Sequence, residues 1–306
     1  MAQPRHGSGM IATVEKPAPL QGYIDRWLDA QPQQQVALMF VDGQRYPGHL
    51  ALAALEQEMV DAAYGLREPQ NIIARLHWWV GELTDAAANG GQHPLTKVLF
   101  DDERALAIPA AIWTAPALAA MAQLEQGTAA DFPAQLAAAR PLHGALATLE
   151  TLWWYGADAS AERATQLAIV NHLLHALRRL QRDVDRDRLP LPMARLAQHE
   201  LNREQLRQPG AARTQAVKEQ LRDLMHGWRV AARQPGPLSV FRAVESRYAL
   251  ALARRAAHAA DSMAELEVEH LRPGLRTTLH AWSAARAWLR ACPPVAGQFV
   301  ENAVRN

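Results

Sequence analysis

An all-α fold is predicted by three features of this sequence. Apolar residues recur in steps of three and four along most of the chain, which places one apolar stripe on each helix. Strand-like alternation is missing and β-branched residues are few. Alanine, the best helix former, is abundant, and turns rich in Gly and Pro separate the periodic segments.

Taken in order, residues 1–20 are polar, contain Gly and Pro, and are expected to be disordered or loosely attached. The rest, 21–306, is expected to form one helical domain, because no linker is long enough to divide it and no repeat of fixed period occurs. In 72–83 the apolar positions are Ile72, Ile73, Leu76, Trp79, Val80 and Leu83, a helical stripe. "ANGGQHP" (88–94) then breaks the pattern. The longest apolar stretch, "ALAIPAAIWTAPALAAMA" (105–122), contains Pro109, Thr114 and Pro116. A bilayer-spanning helix needs ~20 mostly apolar residues, so this interrupted run reads as a buried helix or loop–helix. Residues 123–160 read as two more helices, broken near Pro133 and Gly156. A second stripe runs through Leu167, Val170, Leu173, Leu174, Leu177 and Leu180, and a third through Val217, Leu221, Leu224, Met225 and Trp228. "RLPLP" (188–192), "QPGA" (208–211), "QPGPL" (234–238) and "RPG" (272–274) supply the remaining turns. Helix after helix with short connections argues for a single all-α architecture.

With 306 residues, 49% of them hydrophobic, the chain has ample material for a core. The formal net charge is only +1, which gives no electrostatic case for nucleic acid. Cys292 is the one cysteine, so no intramolecular disulfide can form and a reducing compartment fits. The first twenty residues lack an apolar run of signal-peptide length, so no export and no transmembrane segment are expected. A cytoplasmic location follows, with peripheral contact to a membrane compatible with it.

Gly-rich phosphate loops, a serine nucleophile elbow and an HExxH zinc helix are all missing. His172 and His175 are three apart on one helix, a spacing that suits either a metal or the lining of a pocket. The pairs Trp78–Trp79 and Trp153–Trp154 are either core or the wall of an apolar cavity. The richest stretch is "LLHALRRLQRDVDRDRLPLP" (173–192). If the helix continues to about residue 187, Asp183 and Asp187 sit at i and i+4 and offer oxygen ligands to Mg²⁺. The competing reading is a salt-bridged, solvated helix end, since Pro190 disfavours helix at residue 189 and Arg178, Arg179, Arg182, Arg186 and Arg188 surround the aspartates.

Several segments together resemble the squalene/phytoene synthase family, the head-to-head prenyl synthases. The first is "ALAALEQEMVDAAYGLREPQNIIARLHWWVGELTDA" (51–86) followed by "HPLTKVL" (93–99). The second is "NHLLHALRRLQRDVDRDRLPLPMARLAQHEL" (171–201), and the third ends in "LHAWSAARAW" (279–288). The resemblance covers roughly residues 36–290 and implies an isoprenoid-synthase-like all-α domain around a central apolar cavity. It also implies prenyl diphosphates as ligands, bridged by Mg²⁺ to two Asp-rich motifs. In an apolar pocket the charge of a diphosphate is tolerable only beside compensating cations.

The sequence departs from that pattern at both motifs. From "LR" (177–178) to "LP" (191–192) the spacing matches the family without a gap, which puts the family's first aspartate on Arg179 and its second on Asp183. Asp187 falls at the family's glycine, and His172 and His175 replace its Gln and Asn. Near residues 58–64 the first motif offers Glu58, Asp61 and then Tyr64. With "LREP" (66–69) ahead of "RLHWW" (75–79), the chain looks closer to a divergent branch that includes an assembly factor for respiratory complex I. The resemblance therefore implies a divergent or non-catalytic member that binds an isoprenoid-like ligand or serves as an assembly factor with a protein partner. The alternative is an active prenyltransferase with altered metal dependence. There Asp183, Asp61 and Glu58 are catalytic, and Asp183 and Asp61 hold Mg²⁺. Arg178, Arg179 and Arg182 bind the diphosphate, with His172, His175, Trp78 and Trp79 lining the ligand site.

Overall fold

The computed structural model describes residues 19–186, 188–267 and 274–292, and these form helices and turns with no strand among them. Residues 1–18 lie outside the described residues, as do Asp187 and most of the "RPG" turn. Helix α1 spans Pro19–Ala30, and a 3-10 turn at Pro32–Gln34 leads into the short α2, Gln35–Leu38. The first long pair is α3, Pro47–Tyr64, and α4, Pro69–Asn89. Two short helices, α5 (Pro94–Phe100) and α6 (Glu103–Leu106), precede α7, Ala110–Ala122. Then come α8, Phe132–Tyr155, and α9, Glu162–Arg178. Three short pieces follow: α10 (Leu180–Val184), α11 (Met193–Gln198) and α12 (Arg203–Arg207). The last four are α13 (Ala211–Ala231), α14 (Val240–His258), α15 (Ser262–Glu267) and α16 (Leu275–Ala291).

Local chemistry sets most boundaries. Proline opens α3, α4 and α5, where its missing N–H has no helical partner to lose. The His93 side chain caps α5 by accepting from the Leu95 N–H at 3.2 Å, and Asp131 caps α8 by accepting from Ala134 at 2.8 Å. Gly90 (φ +85°) ends α4 and Gly156 (φ +83°) ends α8, conformations open to glycine and costly for other residues. The stripes face inward as their periodicity predicts. Leu167, Val170, Leu173, Leu174, Leu177 and Leu180 are all buried, each worth roughly 1.5–3 kcal/mol as an upper bound.

Two expectations about helix limits change. Residues 123–160 hold a 3-10 turn at Gln123–Glu125 and one α-helix of 24 residues, α8, which Pro133 does not break because it sits in the first turn, where proline is tolerated. The helix that would have to continue to about 187 to align Asp183 with Asp187 is interrupted. It stops at Arg178, Arg179 leaves helical geometry (φ −98°, ψ 19°), and α10 ends at Val184.

Two apolar clusters make the core. One joins α1, α3, α4, α5 and α7 to the inner faces of α8 and α16. The other joins α9, α13 and α15 to the second half of α14. Helix α8 packs along α9, and α14 packs against α9, α13 and α16, so these helices tie the two clusters together. Among the described residues no helix is long and apolar enough to cross a membrane.

Candidate functional site

A cavity of about 130 Å³ opens where α1, α3, α8, α9 and α14 meet. Trp27, Leu52, Val60, Leu146, Trp154 and Phe241 give it apolar walls. The remaining lining is polar to a degree the expected apolar cavity did not include.

The deepest polar feature is an ion cluster drawn from three helices. Arg242 of α14 binds Glu150 of α8 at 2.9 Å, Glu245 of α14 at 2.8 Å and Glu56 of α3 at 3.2 Å. Glu150 also accepts from the Ser239 hydroxyl. The Ser239 Oγ in turn accepts from the Arg242 N–H at 2.9 Å, capping α14 and fixing where this arginine starts. Glu245 faces His175 of α9 at 3.5 Å. Burial would raise the Glu245 carboxyl, but Arg242, helped by His175 and Asn171, brings it down to about 2. Glu56 goes the other way. Burial and the neighbouring Glu150 lift it well above the usual carboxylate range, and Arg242 only partly offsets them.

Beside this cluster three rings are stacked. His172 lies 4.0 Å from His143 and 4.7 Å from Tyr64, centroid to centroid. Burial and then Arg242 push His143 down to about 3, and burial with His143 depresses His172, so both imidazoles are neutral. His143 Nε2 finds no partner among the described residues, and the same holds for Gln34 Oε1 and Arg179 Nε, all on side chains that line the cavity.

Arg179 sits at the break between α9 and α10. Burial lowers its pKa, while Asp183 and Asp61 both lie near enough to favour its charged form. Asp183 is itself buried, and burial raises its carboxyl against the pull of Arg179, Arg182, Arg188 and Arg186. The turn after α10 closes onto α3. Arg186 donates to the carbonyls of Tyr64 (3.3 Å) and Gly65 (3.0 Å), and Arg188 to those of Tyr64 (2.9 Å) and Ala63 (3.4 Å). These are carbonyls that a helix end leaves unsatisfied, and cations suit that negative end.

The carboxylates proposed for Mg²⁺ lie among arginines. Among the described residues no group of three or more His, Cys, Asp or Glu is placed to hold a metal ion. Asp183 faces arginines, and Glu58 is clamped between Arg26 at 3.1 Å and Arg75.

Solved structures carry the same architecture. The squalene synthase HpnC from Alicyclobacillus acidocaldarius matches with a TM-score of 0.55 at 16% identity, over 82% of this chain and 94% of that one. A dehydrosqualene synthase determined in complex with a ligand matches with a TM-score of 0.59 at 12% identity, over 90% of this chain and 100% of that one. This is the isoprenoid synthase fold. No family model and no curated protein matches the sequence, so the likeness is one of fold.

Within this isoprenoid-synthase-like frame the sequence-predicted residues separate into groups. His172, His175 and Arg179 line the cavity together. Asp183 and Asp61 converge on Arg179, from α10 and α3. Glu58, Arg178, Arg182, Trp78 and Trp79 do not line the cavity. Arg178 donates to the Leu266 carbonyl at 3.0 Å, and Arg182 stays 3.9 Å from Asp183. Trp79 is buried against His93, and Trp78 is 50% exposed. From the other pair, Trp154 forms cavity wall and Trp153 is core.

Sequence reasoning passed over Glu56, Glu150, Arg242, Glu245 and His143. A signal did exist, because each lies singly or as an i,i+3 pair inside an apolar helical stretch, as in "ALATLETLWWY" (145–155) and "VFRAVESRYALALA" (240–253). A charge on a stripe destined for burial must find a partner, which marks it as a network or site residue.

Proposed function

We propose that this chain is a divergent relative of the squalene and phytoene synthases that keeps the central cavity as a binding chamber for an isoprenoid-like ligand. In this reading ordinary Mg²⁺-dependent condensation has been lost. The observation that carries it is Arg179. Its guanidinium lines the cavity close enough to Asp183 and Asp61 for both to favour its charged form, and these are the two carboxylates for which the sequence resemblance implies a divalent cation. A guanidinium answers carboxylate charge and can donate to a phosphate, but it does not supply the Lewis acidity that polarises a leaving oxygen. The apolar walls at Trp27, Leu52, Phe241 and Trp154 suit a prenyl chain, and burying such a chain is favourable at about 25 cal/mol per Å².

The reading is tested by incubating purified protein with farnesyl or geranylgeranyl diphosphate, with and without Mg²⁺. Saturable binding of a farnesyl-chain ligand without steady diphosphate release is the expected result. Sustained Mg²⁺-dependent release overturns it in favour of an active prenyltransferase. Use of the fold as an assembly platform for a protein partner rests on the sequence resemblance alone and requires no ligand, so the binding measurement separates it as well.

A further inference from the structure

We propose that the cavity selects an amphiphile whose head group is a hydrogen-bond-donating cation, such as a prenyl amine, over a prenyl diphosphate. The inference rests on the binding-chamber reading above and names the chemistry of the ligand head.

The cavity presents Glu56, Glu150 and Glu245 to one guanidinium, that of Arg242. The other arginine in the lining, Arg179, lies one turn beyond His175, with Asp183 and Asp61 as counter-charges and Arg182 as a like charge. Glu150 is occupied on both oxygens, by Ser239 and Arg242, and Glu245 by Arg242 and His175. Glu56 meets Arg242 through Oε2 only. It is the carboxyl with capacity left.

A second observation, independent of these acids, points to a donor. Gln34 is 2% exposed and lines the same cavity, and its Oε1 has no partner among the described residues. His143, 5% exposed, likewise leaves Nε2 unpartnered there, on an imidazole that Arg242 helps to keep neutral. An unsatisfied buried acceptor is costly; Gln34 Oε1 is one and His143 Nε2 is another in the Nδ1–H tautomer, and an ammonium, with three donors and no acceptor, answers such atoms and a carboxylate. A diphosphate brings only acceptors and negative charge, for which the unpartnered atoms of the lining offer one donor among the described residues, Arg179 Nε.

The groups facing Glu56 are Glu150 from α8 and Arg242 and Glu245 from α14, with His143 of α8 and His172 and His175 of α9 elsewhere in the lining. Burial and the surplus negative charge around Glu56 favour its protonated form in the free protein. A cationic head answers that charge instead, so its binding releases the proton.

Calorimetric titration of the full chain with farnesylamine, farnesol and farnesyl diphosphate, in two buffers of different ionisation enthalpy, tests this. Farnesylamine is expected to bind one per chain and at least ~10-fold more tightly than the diphosphate, with release of about one proton. Glu56→Gln is expected to remove the proton release and most of the amine's advantage while leaving farnesol unchanged. Diphosphate binding as tight as the amine's, or amine binding without proton release, overturns the inference and leaves the chamber reading standing. Failure of all three to bind overturns both. The comparison of ligands on the unaltered chain decides the matter even if Glu56→Gln does not fold.

Discussion

At the scale of single residues, the molecule is governed by charges that sit where apolar side chains would be simpler. Arg242 is the clearest case, because it holds Glu56, Glu150 and Glu245 together inside the fold. Removing one partner from a buried ion network leaves uncompensated charge and costs about 3–5 kcal/mol. Arg242→Met should therefore lower stability by about that amount in urea denaturation. His143 gives a prediction of opposite character. Its folded pKa is about 3 against an ordinary 6.5, so the unfolded chain binds the extra proton between those values. Its contribution is fully present above pH 6.5 and is lost as pH falls toward 3. Replacing it by Leu should flatten the pH dependence of stability in that window by up to about 1.4 kcal/mol per pH unit, measured by urea denaturation at stepped pH.

At the scale of elements, the join between α3 and the turn after α10 stands out. Arg186 and Arg188 from the turn cap the last carbonyls of α3, and Arg188 also lies over the Tyr64 ring at 5.9 Å. Arg188→Ala should cost about 1–2 kcal/mol, a typical worth for hydrogen bonds to a charged group, and should speed amide exchange around α10 and the Tyr64–Gly65 end. Unchanged exchange there would count against the join. Elements were also the level at which the sequence spoke most clearly. The 167–180 stripe, the His93–Pro94 start of α5 and the Gly156 stop are local events, decided by periodicity, a cap and a turn. The extent of α8 was misread because a proline in a first turn looks like a break. The site was far less legible. Glu56, Glu150 and Arg242 are 94 and 92 residues apart in successive steps (150 − 56, 242 − 150), and only packing of α3, α8 and α14 brings them together. His172, His175 and Arg179 could be read because one helix carries them into the cavity.

At the scale of the whole molecule, two apolar clusters are spanned by α8 and α14, and the cavity lies where those helices meet α1, α3 and α9. A ligand that binds only the folded form stabilises it by about 2.7 kcal/mol at a hundred times its Kd. Saturating farnesylamine should accordingly raise the melting temperature, and Arg242→Met should diminish that rise along with basal stability. The position of Arg179 has one more consequence. An ion borrowed from solution can be withdrawn, whereas a guanidinium belongs to the chain and is made with it. EDTA or millimolar Mg²⁺ should therefore leave the melting curve where it was. The closure between α3 and the turn after α10, made by Arg186 and Arg188, is likewise inherited at synthesis and indifferent to the mineral content of the surroundings.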